Sequence, residues 1–300
     1  MLLIRQLRLP FFLDKLNSMK AKIGPGSNIL IAVSLFAAVN ICVKHLHHIS
    51  FFELVFFRSL FSLSISLLVL KALRISPAGN HKKLLVLRGL AGTGALTLFF
   101  FTLQSMPLAS AVTVQYTAPI FAVLFSRVLI KEEINRHQIL GFVLAFAGVI
   151  LIKGFDSRVS ALELSLGLVA ATFAGCAYTI VRILRNHDHP WVVVFYFPLV
   201  TLPIISPLAY KFWTRPIGSD WLYISVIGLF TTLAQYFMTK AYQGSAMASV
   251  AIFNYVGVIM AISFGYTLFG EAVSLQSVLG MFLIVFAVVW ASKKRQPTRT

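Results

Sequence analysis

The sequence predicts an all-α polytopic membrane protein with ten transmembrane helices in two inverted five-helix repeats. Its composition is the first of three observations that support this fold. Of 300 residues, 58% are hydrophobic and 12% are charged, and the mean hydropathy of +0.86 exceeds that of an ordinary soluble domain. The formal charge of +17 is interpreted as an excess of basic residues beside the membrane, and not as a nucleic-acid-binding surface.

The second observation is the distribution of apolar stretches. A helix that crosses the bilayer needs about 20 mostly apolar residues, and the connections between such stretches are brief and marked by Gly, Pro or charged residues. No stretch outside the spans is long enough for a separate soluble domain. The predicted spans are 28–44, 51–70, 84–103, 108–127, 138–152, 162–181, 191–209, 221–240, 246–268 and 274–291.

Basic residues indicate the orientation of these spans. Alternate connections and both termini carry 20 Lys and Arg residues, five of them in the connection between the second and third spans, whereas the opposite side carries five. Residues 1–27 and 292–300 are therefore predicted to be basic tails in the cytoplasm. We expect an integral protein of the bacterial inner membrane, because the chain is a small two-repeat protein without a eukaryotic sorting signal.

The first 27 residues have two interpretations. Charges interrupt each apolar run and no small-residue cleavage site follows, so a signal peptide is not expected. Either this segment is an amphipathic helix at the membrane interface, or translation starts at Met19 instead of Met1 and leaves a short basic tail.

An internal repeat is the third observation. A shift of 139 residues places Ala95–Val149 on Ala234–Val288 without a gap, with fourteen of 55 positions identical, including Gln104 with Gln243 and Glu132 with Glu271. The predicted repeats are residues 28–152 and 162–291. Because each has an odd number of spans, the second must enter the membrane inverted. Inverted repeats are typical of transporters that hold their solute near the bilayer midplane, between the halves.

Polar residues in two equivalent spans indicate where that site lies. Gln115 and Tyr116 fall on Asn254 and Tyr255 in the repeat, and at ~1.5 Å rise per residue both pairs lie near the bilayer centre. We predict that they contact the solute. The alternative is that these amides bind neighbouring helices. Pro119, just after this sequence, is expected to kink its helix.

The two halves resemble the EamA-type repeat of the drug/metabolite transporter superfamily. The resemblance rests on "LQSMPLASAVTVQYTAPIFAVLFSRVLIKEE" and "QGSAMASVAIFNYVGVIMAISFGYTLFGEA", and it covers residues 28–291. The first half has Lys131-Glu132 where the second has Gly-Glu. Ten helices and solute transport are what the resemblance implies, with amino acids, their derivatives, S-adenosylmethionine and other metabolites among the solutes of similar proteins.

Further candidate contacts are polar residues within other spans. Arg58 is a charge inside the second span, which is by default a functional candidate; it could bind an anionic solute group or hold helices together. A similar arginine is common in the resembling family whatever the solute, which favours the scaffold role. Asn40, Tyr178 and Gln235 lie on further spans near the interface of the halves. Lys44 and Arg182, at helix ends, are expected to be snorkelling anchors.

The pattern predicts a secondary transporter of a small metabolite that works by alternating access, as exporter, importer or exchanger. No enzyme is expected, because the sequence lacks a nucleophile–base motif and paired intramembrane carboxylates; no cofactor or metal is expected either. Coupling to a proton or a counter-substrate stays open, since the carboxylates in the spans, Glu53 and Glu163, both lie at span edges. The alternatives are a membrane scaffold and a passive channel.

Overall fold

Helices make up the regular secondary structure that the computed structural model describes. It describes residues 24–130, 158–244, 256–271 and 275–293, together with positions 140, 141, 143, 144, 147, 148, 151 and 254. No strand occurs in these ranges. The prediction of an all-α membrane protein is confirmed, because seven helices of this part are long and apolar enough to cross a membrane.

The helices follow one another with short connections. α4 and α5 together form one of the seven spans, and a 3₁₀ turn over Leu184–Asn186 extends α6. The helices are α1 Pro25–His45, α2 Phe51–Ala72, α3 Lys82–Ser105, α4 Leu108–Gln115, α5 Ala118–Ile130, α6 Ala161–Ile183, α7 Pro190–Lys211, α8 Asp220–Gly244, α9 Val256–Phe269 and α10 Leu275–Lys293.

The seven long spans coincide with predicted spans one to four and six to eight. The ninth and tenth predicted spans correspond to the apolar helices α9 and α10. The fifth, 138–152, lies largely outside the described residues, as do residues 1–23 of the first predicted tail and 294–300 of the second. The count of ten therefore stays a prediction.

Helix packing relates the two halves of the chain. α3 packs along α6, and in the same way α8 packs along α1; α3 also contacts α7, and α8 contacts α2. The α2–α7 contact is its own counterpart, and the α5–α6 contact has a smaller counterpart between α9 and α1. Each of these contacts therefore has a counterpart when predicted spans one to four are exchanged with predicted spans six to nine. This is the pattern expected of a two-fold relation between repeats; the inversion itself stays a prediction.

Small residues allow α6 to approach α5 closely. A Cβ atom on Gly175 would lie 2.8 Å from Ala118 O and 2.7 Å from Ala122 N, both backbone atoms. The Thr179 hydroxyl donates a hydrogen bond to Ala122 O at 3.0 Å across the same contact. Apolar burial provides little driving force between helices inside lipid, so close backbone packing and such hydrogen bonds stabilise the pair.

The fourth predicted span is broken at its centre. α4 ends at Gln115 and α5 begins at Ala118, with Tyr116 and Thr117 in a turn between them. Pro119 explains the break, because its nitrogen carries no hydrogen for the carbonyl of Gln115 one turn earlier. The predicted kink at Pro119 is confirmed. The break lies beside Gln115 and Tyr116, two of the polar residues predicted to contact the solute.

The equivalent glutamines of the two repeats make equivalent contacts. Gln104 Nε2, near the end of α3, donates to Leu46 O at 3.2 Å and Ile49 O at 3.0 Å in the α1–α2 connection. Gln243 Nε2, at the end of α8, donates to Asp188 O at 3.3 Å in the α6–α7 connection. Each amide ties the third helix of its repeat to the loop between the first two, so this part of the repeat is explained by loop anchoring.

Candidate functional site

A cavity lies inside the helix bundle, between the two repeats. Its volume is about 120 Å³, several times the roughly 10–15 Å³ that one water molecule requires. α1 to α5 contribute lining residues from the first repeat, and α6, α7, α8 and Asn254 contribute from the second. The cavity is therefore formed jointly by both repeats and large enough for several waters or part of a small solute.

The cavity brings together residues that are far apart in the sequence. Seven of the eight candidate site residues line it, and the eighth, Tyr255, lies outside the described residues. The seven are Asn40, Arg58, Gln115, Tyr116, Tyr178, Gln235 and Asn254.

Gln115 occupies the last turn of α4, where the break begins. In the described part of the chain its side-chain oxygen is buried and accepts no hydrogen bond. A buried polar atom without a partner is costly, so this oxygen is available to a donor that enters the cavity. Tyr116 follows Gln115 in the chain, and its hydroxyl occupies the space that a Cβ atom of Gly257 would take, on α9 of the other repeat. The broken span thus meets the second repeat at the cavity.

The second-repeat amide is engaged differently. Asn254 Nδ2 donates to the Tyr242 hydroxyl at 3.3 Å, and the Tyr242 ring stacks on the Tyr178 ring with centroids 4.9 Å apart. All three side chains lie beside the cavity or immediately behind its wall. The alternative prediction, that the midplane amides bind neighbouring helices, therefore holds for the Asn254 amide nitrogen. It does not hold for Gln115 Oε1, which accepts no hydrogen bond from the described residues.

Two buried arginines project to the same region. Arg58 on α2 and Arg88 on α3 are each 3% exposed. Both guanidinium groups contact the Phe197 ring on α7, with Cζ to centroid distances of 5.4 Å and 4.4 Å. Arg88 Nη2 also donates to Gln235 Oε1 at 3.0 Å. The first repeat thus supplies two cationic groups at the cavity wall, and the second repeat supplies their contacts Phe197 and Gln235.

Arg88 is the functional candidate that sequence reasoning missed. Its place among the basic residues between the second and third spans predicts a position beside the membrane, but Arg88 lies in the second turn of α3, buried and lining the cavity. The sequence contains a signal that could have identified Arg88, because position 88 falls inside the predicted span 84–103, just as Arg58 falls inside the span 51–70. A charge within a span is a functional candidate wherever it occurs.

One end of the bundle is closed by a polar cluster between the repeats. Lys44 Nζ, at the end of α1, lies 2.7 Å from Glu271 Oε1 and donates to Met106 O at 2.6 Å. The other oxygen of Glu271 accepts from Leu108 N at 2.8 Å. Lys44 is therefore not a snorkelling anchor, and that interpretation is corrected: its charge is neutralised within the protein. We call this end of the bundle the Lys44 face.

Acidic residues also join the repeats at both ends. Glu53 Oε2, at the start of α2, accepts from Thr214 N at 2.9 Å in the α7–α8 connection. Asp188 Oδ1, just before α7, accepts from Asn80 N at 2.7 Å in the α2–α3 connection. Glu53 does not line the cavity; its contact is a loop cap that holds one repeat to the other.

A bundle of membrane-spanning helices that encloses a cavity between two halves, with polar side chains from both, has the architecture of a membrane transporter. The EamA-like transporter family matches the chain twice, over residues 27–154 and 161–293. The chain belongs to the EamA-like transporter family, which confirms the resemblance found in the sequence.

Individual relatives extend over nearly the same length. The chain is 27% identical to a pseudopaline exporter of Pseudomonas aeruginosa, over 90% of this chain and 97% of that protein. It is 30% identical to an uncharacterized transporter of Helicobacter pylori, covering 86% and 93%, and 28% identical to human solute carrier family 35 member G1, covering 89% and 78%. A solved crystal structure, 19% identical, has a TM-score of 0.66 and covers 89% and 96%; this likeness shows the fold.

Proposed function

We propose that the protein moves a small metabolite across the membrane by alternating access, with the cavity between the repeats as its solute site. The solute class is an amino acid, an amino-acid derivative or a solute similar to S-adenosylmethionine. The observation that carries the proposal is the joint lining of one cavity by Gln115 and Tyr116 from the first repeat and Tyr178, Gln235 and Asn254 from the second.

Alternating access requires that the cavity be closed towards one side at a time. The Lys44–Glu271 ion pair and the hydrogen bond from Leu108 N to Glu271 link the repeats at the Lys44 face, and Lys44 also donates to Met106 O within the first repeat. Their rupture would separate the repeats at that face, and this supports rocking of one repeat against the other. A passive channel would not need such links, and a scaffold would not need a cavity to which both repeats contribute polar side chains.

The solute class has support from chemistry and from relatives. Amino acids and their derivatives offer both hydrogen-bond donors and acceptors, which match the free Gln115 oxygen and the amide of Asn254. One relative is named as an exporter of pseudopaline and another, 26% identical, as a riboflavin transporter. Both names support a small organic metabolite as the solute of this chain.

Exchange or downhill movement is the proposed energetic mode. Of the described residues that line the cavity, none is acidic. Of the two carboxylates at span edges, Glu53 accepts from Thr214 N through one oxygen, and Glu163 forms a capping box with Ser160. A proton carrier of the carboxylate type is therefore not offered by these residues. The proposed setting is the bacterial inner membrane, with both termini in the cytoplasm, as the distribution of Lys and Arg favours.

Counterflow in proteoliposomes tests the proposal. Vesicles containing the full chain are loaded with unlabelled amino acids, or with S-adenosylmethionine, and uptake of the labelled solute is followed. We expect transient accumulation with the wild type and its loss in Asn254→Ala, with unchanged helical content by circular dichroism. Ser225→Ala, at an exposed position on the outside of α8, is the matched control.

Each result has a defined meaning. Counterflow in the wild type and the control alone supports both transport and the cavity site. Equal counterflow in Asn254→Ala would retain transport and remove the amide from the site. Leak of every small solute without counterflow would favour a channel, and no movement of any solute would favour a scaffold.

A further inference from the structure

Positive charge is concentrated inside the cavity without acidic neighbours. Arg58 and Arg88 are both 3% exposed, and both line the cavity. The described lining residues include no Asp or Glu. The acidic groups that the structure describes nearest the ends of the bundle, such as Glu53 and Glu271, are engaged with backbone amides or Lys44. No carboxylate of the described chain therefore pairs with either guanidinium.

Much of the hydrogen-bonding capacity of the two arginines is unused. In the described part of the chain, Arg58 Nη1 and the Nε and Nη1 atoms of Arg88 are buried and have no hydrogen-bond partner. The single hydrogen bond made here runs from Arg88 Nη2 to Gln235 Oε1 at 3.0 Å. An arginine carries five N–H donors in a planar fork, so several donors remain directed at surroundings that offer no acceptor.

Aromatic rings compensate for only part of this charge. Phe197 contacts both guanidinium groups, and Phe100 lies 5.5 Å from Arg58 Cζ. A ring quadrupole attracts a cation more weakly than a hydrogen-bonded anion does, and an intramembrane cation is normally paired. The shared Phe197 ring places both guanidinium groups beside the same part of the cavity wall.

We propose that the cavity binds the carboxylate of its solute between Arg58 and Arg88, and that Gln235 positions Arg88 for this contact. Planar guanidinium and carboxylate groups form paired, charge-assisted hydrogen bonds, which are stronger than neutral ones. This inference rests on the proposed transport function and narrows the solute to a carboxylate-bearing molecule. The apolar wall, which includes Phe36, Phe99 and Met238, receives the less polar part of that solute.

Gln235→Glu is the variant that tests the proposed carboxylate site most directly. The substitution is nearly isosteric and places a carboxylate 3.0 Å from Arg88 Nη2, so the protein itself supplies the missing anion. We expect a folded protein with an unfolding temperature equal to or above that of the wild type. We also expect carboxylate solutes to bind at least about tenfold more weakly, because a hydrogen bond to a charged group is lost to them.

Acid and ester pairs measure the preference directly. Each amino acid that gives counterflow is compared with its methyl ester, which keeps the side chain and the amine but lacks the anion. Wild type is expected to transport the acid at least about tenfold better than the ester. Arg88→Gln is expected to remove this difference, and Arg88→Lys to restore part of it, since lysine keeps the charge but not the planar fork. Lys211→Gln, an exposed charge at the end of α7, is the control for net charge.

Failure of the inference is distinguishable from failure of the proposed function. Equal transport of acids and esters by the wild type, or unchanged acid transport in Gln235→Glu, would overturn the carboxylate site while transport stands. If no amino acid gives counterflow, thermal unfolding in detergent tests the carboxylate site without transport. Acetate, succinate and citrate at matched ionic strength should raise the unfolding temperature of the wild type but not that of Arg88→Gln. Stabilisation that is absent, or equal in both proteins, would overturn the inference.

Discussion

Lys44 Nζ lies 2.7 Å from Glu271 Oε1 and joins the end of α1 in the first repeat to the connection after α9 in the second. The two side chains are 13% and 14% exposed, so the ion pair is largely shielded from water and is stronger than a surface pair. Glu271 also accepts from Leu108 N. One carboxylate therefore holds three segments together at the Lys44 face, and this cluster is the element whose opening we expect to expose the cavity.

Glu271→Gln is expected to open the Lys44 face more often. The variant keeps an acceptor for Leu108 N but loses the charge, and a loss of roughly 1.5 kcal/mol, typical of a hydrogen bond to a charged group, raises the open population roughly tenfold. Thr231→Cys, in a background of Cys42→Ser and Cys176→Ser, reports opening through its reaction with a membrane-impermeant maleimide. Thr231 is suitable because it lines the cavity and is 1% exposed.

The matched control for this measurement is Glu163→Gln. Glu163 contacts Ser160 within its own capping box at the start of α6, so its charge does not join the repeats. Labelling from the Lys44 side should accelerate in Glu271→Gln and not in Glu163→Gln. Equal labelling rates in wild type and Glu271→Gln would show that the ion pair does not control access.

Gly175→Ala is expected to destabilise the α5–α6 contact. The added methyl group would meet the backbone atoms Ala118 O and Ala122 N at 2.8 and 2.7 Å, and backbone cannot move aside as a flexible side chain does. Overpacking of this kind costs typically 1–3 kcal/mol. The unfolding temperature in detergent should fall by several degrees. Gly24→Ala, whose Cβ would have nothing within 4 Å, should leave it unchanged; equal shifts in both would contradict this packing.

Gly257→Ala is expected to impair transport more than stability. Its methyl group would overlap the Tyr116 hydroxyl, so the Tyr116 ring, which lines the cavity, must shift. We expect a raised KM for the transported solute, with a smaller effect on the unfolding temperature. Tyr116→Phe in the same chain removes the overlapping oxygen and should recover part of the affinity. A double variant as impaired as the sum of both single variants would refute this coupling.

Gln104→Met and Gln243→Met should differ in cost although the positions are equivalent in the repeat. Gln104 donates to two loop carbonyls, at 3.0 and 3.2 Å, whereas Gln243 donates to one at 3.3 Å. With roughly 0.5–1.5 kcal/mol for each hydrogen bond, the first substitution should lower the unfolding temperature about twice as much. Thermal unfolding of both variants in one detergent measures this. The reverse order would show that loop anchoring does not set their contribution.

Much of the architecture could be predicted from the sequence because the bilayer imposes a simple rule. Each segment that crosses hydrocarbon must satisfy its own backbone groups, so it becomes an apolar helix of predictable length. Pro119 likewise predicts a helix break from the sequence alone, because its missing N–H removes a hydrogen bond within one turn of the helix. The repeat made Gln115 and Asn254 candidates together, and both line the cavity that the structure describes.

The tertiary structure alone decided the partners of the charged residues. Lys44 has the sequence context of an interfacial anchor, but its charge meets Glu271 from a segment more than 200 positions away. Arg88 stands near basic residues of a connection, but the turn of α3 carries it inwards to Gln235 and Phe197.

The physical reason for this division is the range of the interactions involved. Hydropathy, helix length and proline effects act along the chain and are therefore written in consecutive residues. Whether a buried charge is paired depends on which distant helix faces it, and that is fixed by packing between the repeats. The sequence by itself determined the helical fold class and the polar residues near the bilayer centre that are candidates for solute contact. The packing of α3 against α6 and α7 determined that Arg88 lines the same cavity as Arg58.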